Sequence, residues 1–275
     1  MSERYVITHR TAVDRPIVEA DVVGVGVVSA LDRGFVVDAD ESQVERLENA
    51  GWRVKAVRDP HTIRLFTYEI DTAEGGLPPT PPGFAGVEAA DGVNHLIQLV
   101  GPVQESWLAT LAERGIRLVE AVSPHAYYVR ADAETVASAT TLPFVEWTGP
   151  LAPALKVNPE LLSGDPEAGT DLGLGPIEAV DIGVFAEGDV DGVATLVITL
   201  GGNVLAVAPE SLDAFRSVTA QVPTEALPTL AAHDDVRWID AVHAPVLEDE
   251  RSSQIVMEDL DAAAAPNTLP TTERV

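Results

Sequence analysis

His95-Leu-Ile-Gln-Leu-Val-Gly101, followed by a helical pattern over Gln104–Arg114, decides the fold. The apolar run reads as a strand, and Trp107, Leu108 and Leu111 are expected on one face of the helix that follows. Ile116–Val122 and Ala126–Ala131 then read as two further strands. Asp132 is placed to cap a helix over Ala133–Ala139, and Phe144–Trp147 closes the unit. The order is β-α-β-β-α-β. Working outward, the same order recurs on both sides, and each copy closes on a tryptophan: Trp52, Trp147 and Trp238. Val236-Arg237-Trp238 repeats the end of Val145-Glu146-Trp147 almost residue for residue.

Upstream, Tyr5-Val-Ile7 opens the first copy, and its first helix is expected within Asp14–Val22. Val25–Ala30 and Gly34–Ala39 read as a hairpin turning at Asp32-Arg33. Asp40 with Gln43 three residues on forms a capping box, Gly51 ends that helix, and Trp52–Val57 is the last strand. Downstream, Ala179–Phe185, a helix over Asp191–Leu200, Val204–Ala208, Phe215–Val222, a helix from Thr224 to Ala232 and Val236–Ile239 make the third copy. The fold class is therefore α+β: tandem ferredoxin-like units with antiparallel sheets, each with two helices on one face and the other free for a partner. The expected organisation is a first unit over 1–73, a Pro/Gly linker over 74–92 and a second unit over 93–162. A linker over 163–175, a third unit over 176–256 and a disordered tail over 257–275 complete it.

The chain of 275 residues carries a formal charge of −27, and only Lys55 and Lys156 among its 17 basic residues are lysines. A dense acidic shell with little lysine suits concentrated salt, where repulsion is screened within about 3 Å at 1 M. A halophilic source is the expectation. Nucleic-acid binding is not expected, because no basic stripe exists to meet phosphates. No run of 18 apolar residues offers a membrane span. Met1-Ser-Glu-Arg-Tyr shows no export signal, so a cytoplasmic protein is expected, or an extracellular one if the N-terminus is incomplete. Without cysteine there is neither a disulfide nor a thiolate ligand.

Local motifs point away from catalysis. Gly24-Val-Gly26-Val-Val-Ser29 has the spacing of a dinucleotide fingerprint but falls inside a strand rather than opening a helix. Asp189-Val-Asp191-Gly192 has the start of a calcium loop without its later ligands, and reads better as a helix cap. The six histidines (His9, His61, His95, His125, His233 and His243) show no metal-binding spacing. No cofactor or metal is expected. The tryptophans serve either as ligand-stacking surfaces or as anchors that close each sheet; the anchor reading is preferred.

A resemblance adds to this. His95-Leu-Ile-Gln-Leu-Val-Gly-Pro, Glu105-Ser-Trp-Leu with Gly115, and Pro124-His-Ala-Tyr-Tyr-Val-Arg130 carry it, with Val145-Glu-Trp-Thr-Gly-Pro-Leu-Ala-Pro-Ala-Leu-Lys156. Together they resemble the N-terminal prodomain-like region of subtilisin-like serine peptidases of the fervidolysin type. Trp238-Ile-Asp and the residues up to Ile255-Val256 are similar to the segment leading into that family's catalytic domain. Arg4–Asp59 more loosely resembles its propeptide and inhibitor fold. The family's Asp-Ser/Thr-Gly, His-Gly-Thr-His and Gly-Thr-Ser-Met-Ala signatures are absent; Asp71-Thr-Ala73 is the nearest approach to the first. The resemblance thus implies a non-enzymatic partner of a subtilisin-type serine protease. Such a module lays its open sheet face on the protease and threads a tail through the cleft. Here that tail would follow Ile239, with Ala241 at its start and Val246 and Leu247 in substrate subsites. A structural or regulatory interaction module, and a remnant of a broken protease gene, are the rival readings.

Overall fold

Three antiparallel sheets, each of four strands, follow one another along the chain. The structure is a computed structural model that describes residues 2–9, 22, 24–66, 68–89, 92–123, 125–162, 177–208 and 216–242. Residues Met1–Ala241 pack as one unit, and Val242–Val275 form a second. The expected helix within Asp14–Val22, the 163–175 linker and the 257–275 tail lie outside the described residues, apart from Val22.

The first unit comprises β1 (Glu3–His9), β2 (Gly26–Leu31), β3 (Gly34–Ala39), α1 (Glu41–Asn49) and β4 (Trp52–Ala56). A hairpin follows, β5 (Thr62–Leu65) and β6 (Tyr68–Asp71). The second unit is β7 (Asn94–Leu99), α2 (Glu105–Glu113), β8 (Arg117–Ser123), β9 (Ala126–Arg130), α3 (Ala133–Ser138) and β10 (Val145–Pro150). The third is β11 (Ile177–Val184), α4 (Val190–Thr199), β12 (Asn203–Ala208), β13 (Arg216–Pro223), α5 (Leu227–Ala232) and β14 (Val236–Ala241). The strand orders are β2-β3-β1-β4, β8-β9-β7-β10 and β12-β13-β11-β14. All three are the same order, with each unit's first and third strands central, as the ferredoxin-like arrangement requires. Among the described residues no helix is long and apolar enough to cross a membrane.

Local chemistry explains where the helices begin. Asp40 accepts from the Gln43 amide at 2.9 Å, and the Gln43 side chain accepts from the Asp40 amide at 2.7 Å, a complete capping box. Asp132 accepts from the Thr135 amide at 2.8 Å, and Asp189 from the Gly192 amide at 3.0 Å. The acidic start at Asp189 is therefore a cap, and Gly26 and Ser29 lie on β2. Before α5, Thr224–Ala226 forms a turn of 3₁₀ helix.

Side chains alternate across each sheet and divide the cores. Ile7, Phe35, Val37 and Trp52 join Leu47 of α1 on the inner face of the first sheet. Ile97, Leu99 and Val129 meet Trp107, Leu111 and Val136 in the second. There the Trp107 and Phe144 rings stack 4.9 Å apart. Val180, Ile182, Val218 and Ile239 meet Val193, Val197 and Leu230 in the third. Leu108 corrects the expected helix face. It is exposed, since a helix turns about 100° per residue and the buried stripe runs through Trp107 and Leu111, one turn apart.

The sheets' other faces are not all free. Leu96, Ala126 and Tyr128 on the outer face of the second sheet are covered by Ile63, Leu65 and Ile70 of the β5–β6 hairpin. Thr72 donates to Gln98 at 2.6 Å beneath it. On the first sheet, Val36 and Val6 point outward and pack into the second unit's core. The expectation of an uncovered face on each unit is thereby corrected for these two. Phe84, within the 74–92 stretch, is buried in the third unit's core cluster.

Candidate docking surface

Trp238 sits on β14 with its indole across Gly183 of the adjacent strand. A Cβ on Gly183 would lie 2.2 Å from that ring, so glycine is what lets the indole lie flat on the sheet. Trp147 lies over Gly149, two residues along its own strand, with the same 2.2 Å approach. Both indoles are half-buried and face away from their helices. Trp52 differs: it is buried in the first core, edge-on to His9 with ring centres 5.1 Å apart.

Beside Trp238 opens a cleft of about 230 Å³ where the second and third units meet. Its lining draws on Leu65 and Phe66 at the hairpin tip, Tyr128 of the second sheet, and Arg237, Trp238 and Asp240 of β14. Phe66 belongs to the two-residue turn between β5 and β6, has φ of +52°, and is 40% exposed. A left-handed conformation is one that glycine or asparagine adopts readily and that costs a bulky side chain about 1–2 kcal/mol. A two-residue hairpin turn calls for a positive φ at this position, so the turn sets the backbone and leaves the ring exposed at its tip.

The arginines at the cleft are matched by carboxylates. Arg237 pairs with Glu120 across the two units, and its guanidinium lies 5.8 Å over the Tyr128 ring. Arg64 pairs with Asp59 at 2.9 Å and Glu69 at 3.0 Å. Burial pushes the Tyr128 hydroxyl up to about 12, against the opposing pull of Arg237, so the phenol stays neutral as a polar handle. Beside these charged groups and Asp240, the lining presents the aromatic and aliphatic surface of Leu65, Phe66, Val122, Tyr128 and Trp238. The cleft is suited to an apolar side chain.

From Trp238 the outer face of the third sheet continues across Asp181, Ser217, Thr219 and Gln221. These side chains are polar and half-buried or exposed. Thr219 donates to Asp181 at 2.6 Å, and Asn158 donates to Asp240 at 2.7 Å.

A buried polar joint fixes the third unit against the second and hence sets the cleft. Lys156 is fully buried, and its Nζ donates to the His233 carbonyl at 3.0 Å. Burial pushes its ammonium down to about 8, with Asp234 pulling the other way. Asn94 donates from Nδ2 to the Asp234 backbone oxygen at 2.7 Å and to its carboxylate at 3.2 Å. Arg130 approaches Asp235 at 3.5 Å.

Ala241, expected at the start of a tail, is the last residue of β14: it pairs with Val180 and packs on the third core. A tail of that kind starts no earlier than Val242. Val246 and Leu247 lie outside the described residues. Sequence reasoning missed Phe66, Tyr128 and Arg237. A signal for the hairpin was present in the alternating Ile63, Leu65, then Tyr68, Ile70, split by two residues.

The profile of a family described as a domain of unknown function, DUF8729, matches residues 64–152. That segment begins inside β5 and ends just past β10, so it takes in the second unit together with most of its hairpin. No curated protein matches the chain.

Proposed function

We propose that this chain is a non-catalytic, propeptide-like protein that binds a subtilisin-type serine protease and inhibits or chaperones it. One observation carries the reading: among the described residues the third unit keeps a polar outer sheet face that the other two lack, and that face borders the cleft at Trp238. A sheet face of this kind can lie against a partner, while an extended segment supplies main-chain hydrogen bonds in a substrate groove. Phe66, Tyr128 and Trp238 would receive an apolar side chain from the protease surface. Val246 and Leu247 would occupy its substrate subsites.

The test is inhibition in molar potassium chloride, following peptide cleavage by secreted and intracellular subtilisin-type proteases. Both kinds belong in the panel, because the cytoplasmic placement is part of the proposal. Slow, saturable inhibition near one-to-one is expected, and a chain ending at Ala241 should bind at least tenfold more weakly. Folded protein that inhibits none of them would overturn the reading in favour of an interaction module. Binding unchanged by the truncation would remove the tail from it.

A further inference from the structure

β12 is an edge strand: among the described residues its one hydrogen-bonded neighbour is β13, and it lies at the opposite edge of the third sheet from β14. The outward row of N–H and C=O groups on such a strand is a template for another strand, and edges are ordinarily blunted with charge or proline. This one is bare. From Gly192 to Ala208 no residue is charged, in a chain where charged residues make up 22%. On the same stretch Ile198, Leu205 and Val207 are 62%, 53% and 38% exposed.

The two earlier units show what this strand does elsewhere. Leu31, at the end of β2, packs on the second core. Asp32 just beyond it donates its amide to Gln104 at 3.1 Å and accepts from Ser106 at 3.1 Å. β8 in turn reaches the third unit, through Arg117 to Glu187 at 2.5 Å and through Glu120 to Arg237. In the first two units the second strand thus meets the unit that follows. β12 is the corresponding strand of the third unit, and among the described residues no fourth unit follows it.

We propose that β12 and the adjoining end of α4 form a self-association surface, on which β12 of a second copy pairs antiparallel across a two-fold axis. Charge selects the partner. Two copies at −27 each repel wherever carboxylates are brought together, and this uncharged strip lets them approach without that. A two-fold places the same strip on both sides, satisfies both free edges and joins two sheets into one. A six-residue strand is about 20 Å long, so the contact falls short of the roughly 800 Å² per partner of a standard interface. The dimer is therefore reversible. It uses neither the cleft nor β14, so it stands or falls apart from the protease reading.

Sedimentation equilibrium in molar potassium chloride, over a hundredfold range of concentration, tests it. The weight-average mass should climb from 29.1 kDa toward twice that value. Leu205→Glu and Ile198→Glu, both at exposed positions, should each weaken association at least tenfold with unchanged circular dichroism, because each carboxylate meets its own copy across the axis. Amide exchange along β12 should slow as wild-type concentration rises. A wild-type protein that stays monomeric throughout would overturn the proposal, even if β12 captured some other protein's strand. So would a dimer that both variants leave intact.

Discussion

The ammonium of Lys156 lies 3.0 Å from the carbonyl oxygen of His233, fully buried where the second unit meets the third. Around it are Asp234, Asp235 and Arg130, and burial outweighs the attraction of the carboxylates. The folded chain holds this proton only to about pH 8, whereas an unfolded lysine holds it to 10.5. Between those values the unfolded chain binds the extra proton, so raising the pH favours folding. Below pH 8 both states are charged, and the cost of burying the ammonium is felt in full. Tyr128 acts in the opposite sense higher up: its folded value of about 12 exceeds the ordinary 10.0, so stability falls above pH 10. Urea unfolding should therefore show stability rising from pH 8 to near 10, by up to about 3 kcal/mol, then declining. Lys156→Met should abolish the rise and keep the decline. A wild-type profile flat between pH 8 and 10 would refute this account of the joint.

Gly183→Ala should destabilise the third unit by about 2 kcal/mol, because the new methyl enters the Trp238 ring position. In a double-mutant cycle, Trp238→Ala should remove most of that penalty. If the cost of Gly183→Ala is the same with and without the indole, the ring is not what demands glycine there.

Phe66→Asn should raise stability by about 1 kcal/mol, since asparagine tolerates the left-handed backbone at φ of +52°. If the proposed protease docks at this cleft, the same change should weaken its binding several-fold by removing one aromatic ring from the lining. Thermal unfolding and the inhibition assay read the two effects separately. A variant that is more stable and binds as well as the parent would take Phe66 out of the docking surface.

Dilution from molar salt should unfold the protein progressively, since a charge of −27 repels itself once screening lengthens from about 3 Å at 1 M to 30 Å at 0.01 M. Circular dichroism across a potassium chloride series is the measurement. Structure unchanged at 0.01 M would refute salt dependence.

Much of each unit was legible locally. Asp40 with Gln43, Asp132 with Thr135, and Asp189 before α4 fix helix starts through contacts three residues apart, and such contacts are written directly in sequence. Leu108 was not legible, because it is as apolar as Leu111 and only the packing partner decides which is buried. The tryptophans were legible as strand closers but not in their settings. Trp52 turns inward, while Trp147 and Trp238 turn outward over glycines, and bulges in β10 and β14 at those points shift the alternation.

The sequence by itself determined three α+β units in one strand order, their caps and turns, and an acidic chain with an uncharged strip from Gly192 to Ala208. Tertiary structure alone decided that Ile63, Leu65 and Ile70 cover the second sheet's outer face and that Val36 leans into the second core. It also placed Lys156 against His233, and brought Phe66 and Trp238 to one cleft. The reason is range. Period and capping act over a few residues, but whether an apolar face meets a helix, a neighbouring unit or water depends on surfaces far apart in the chain, with residue types that suit any of these.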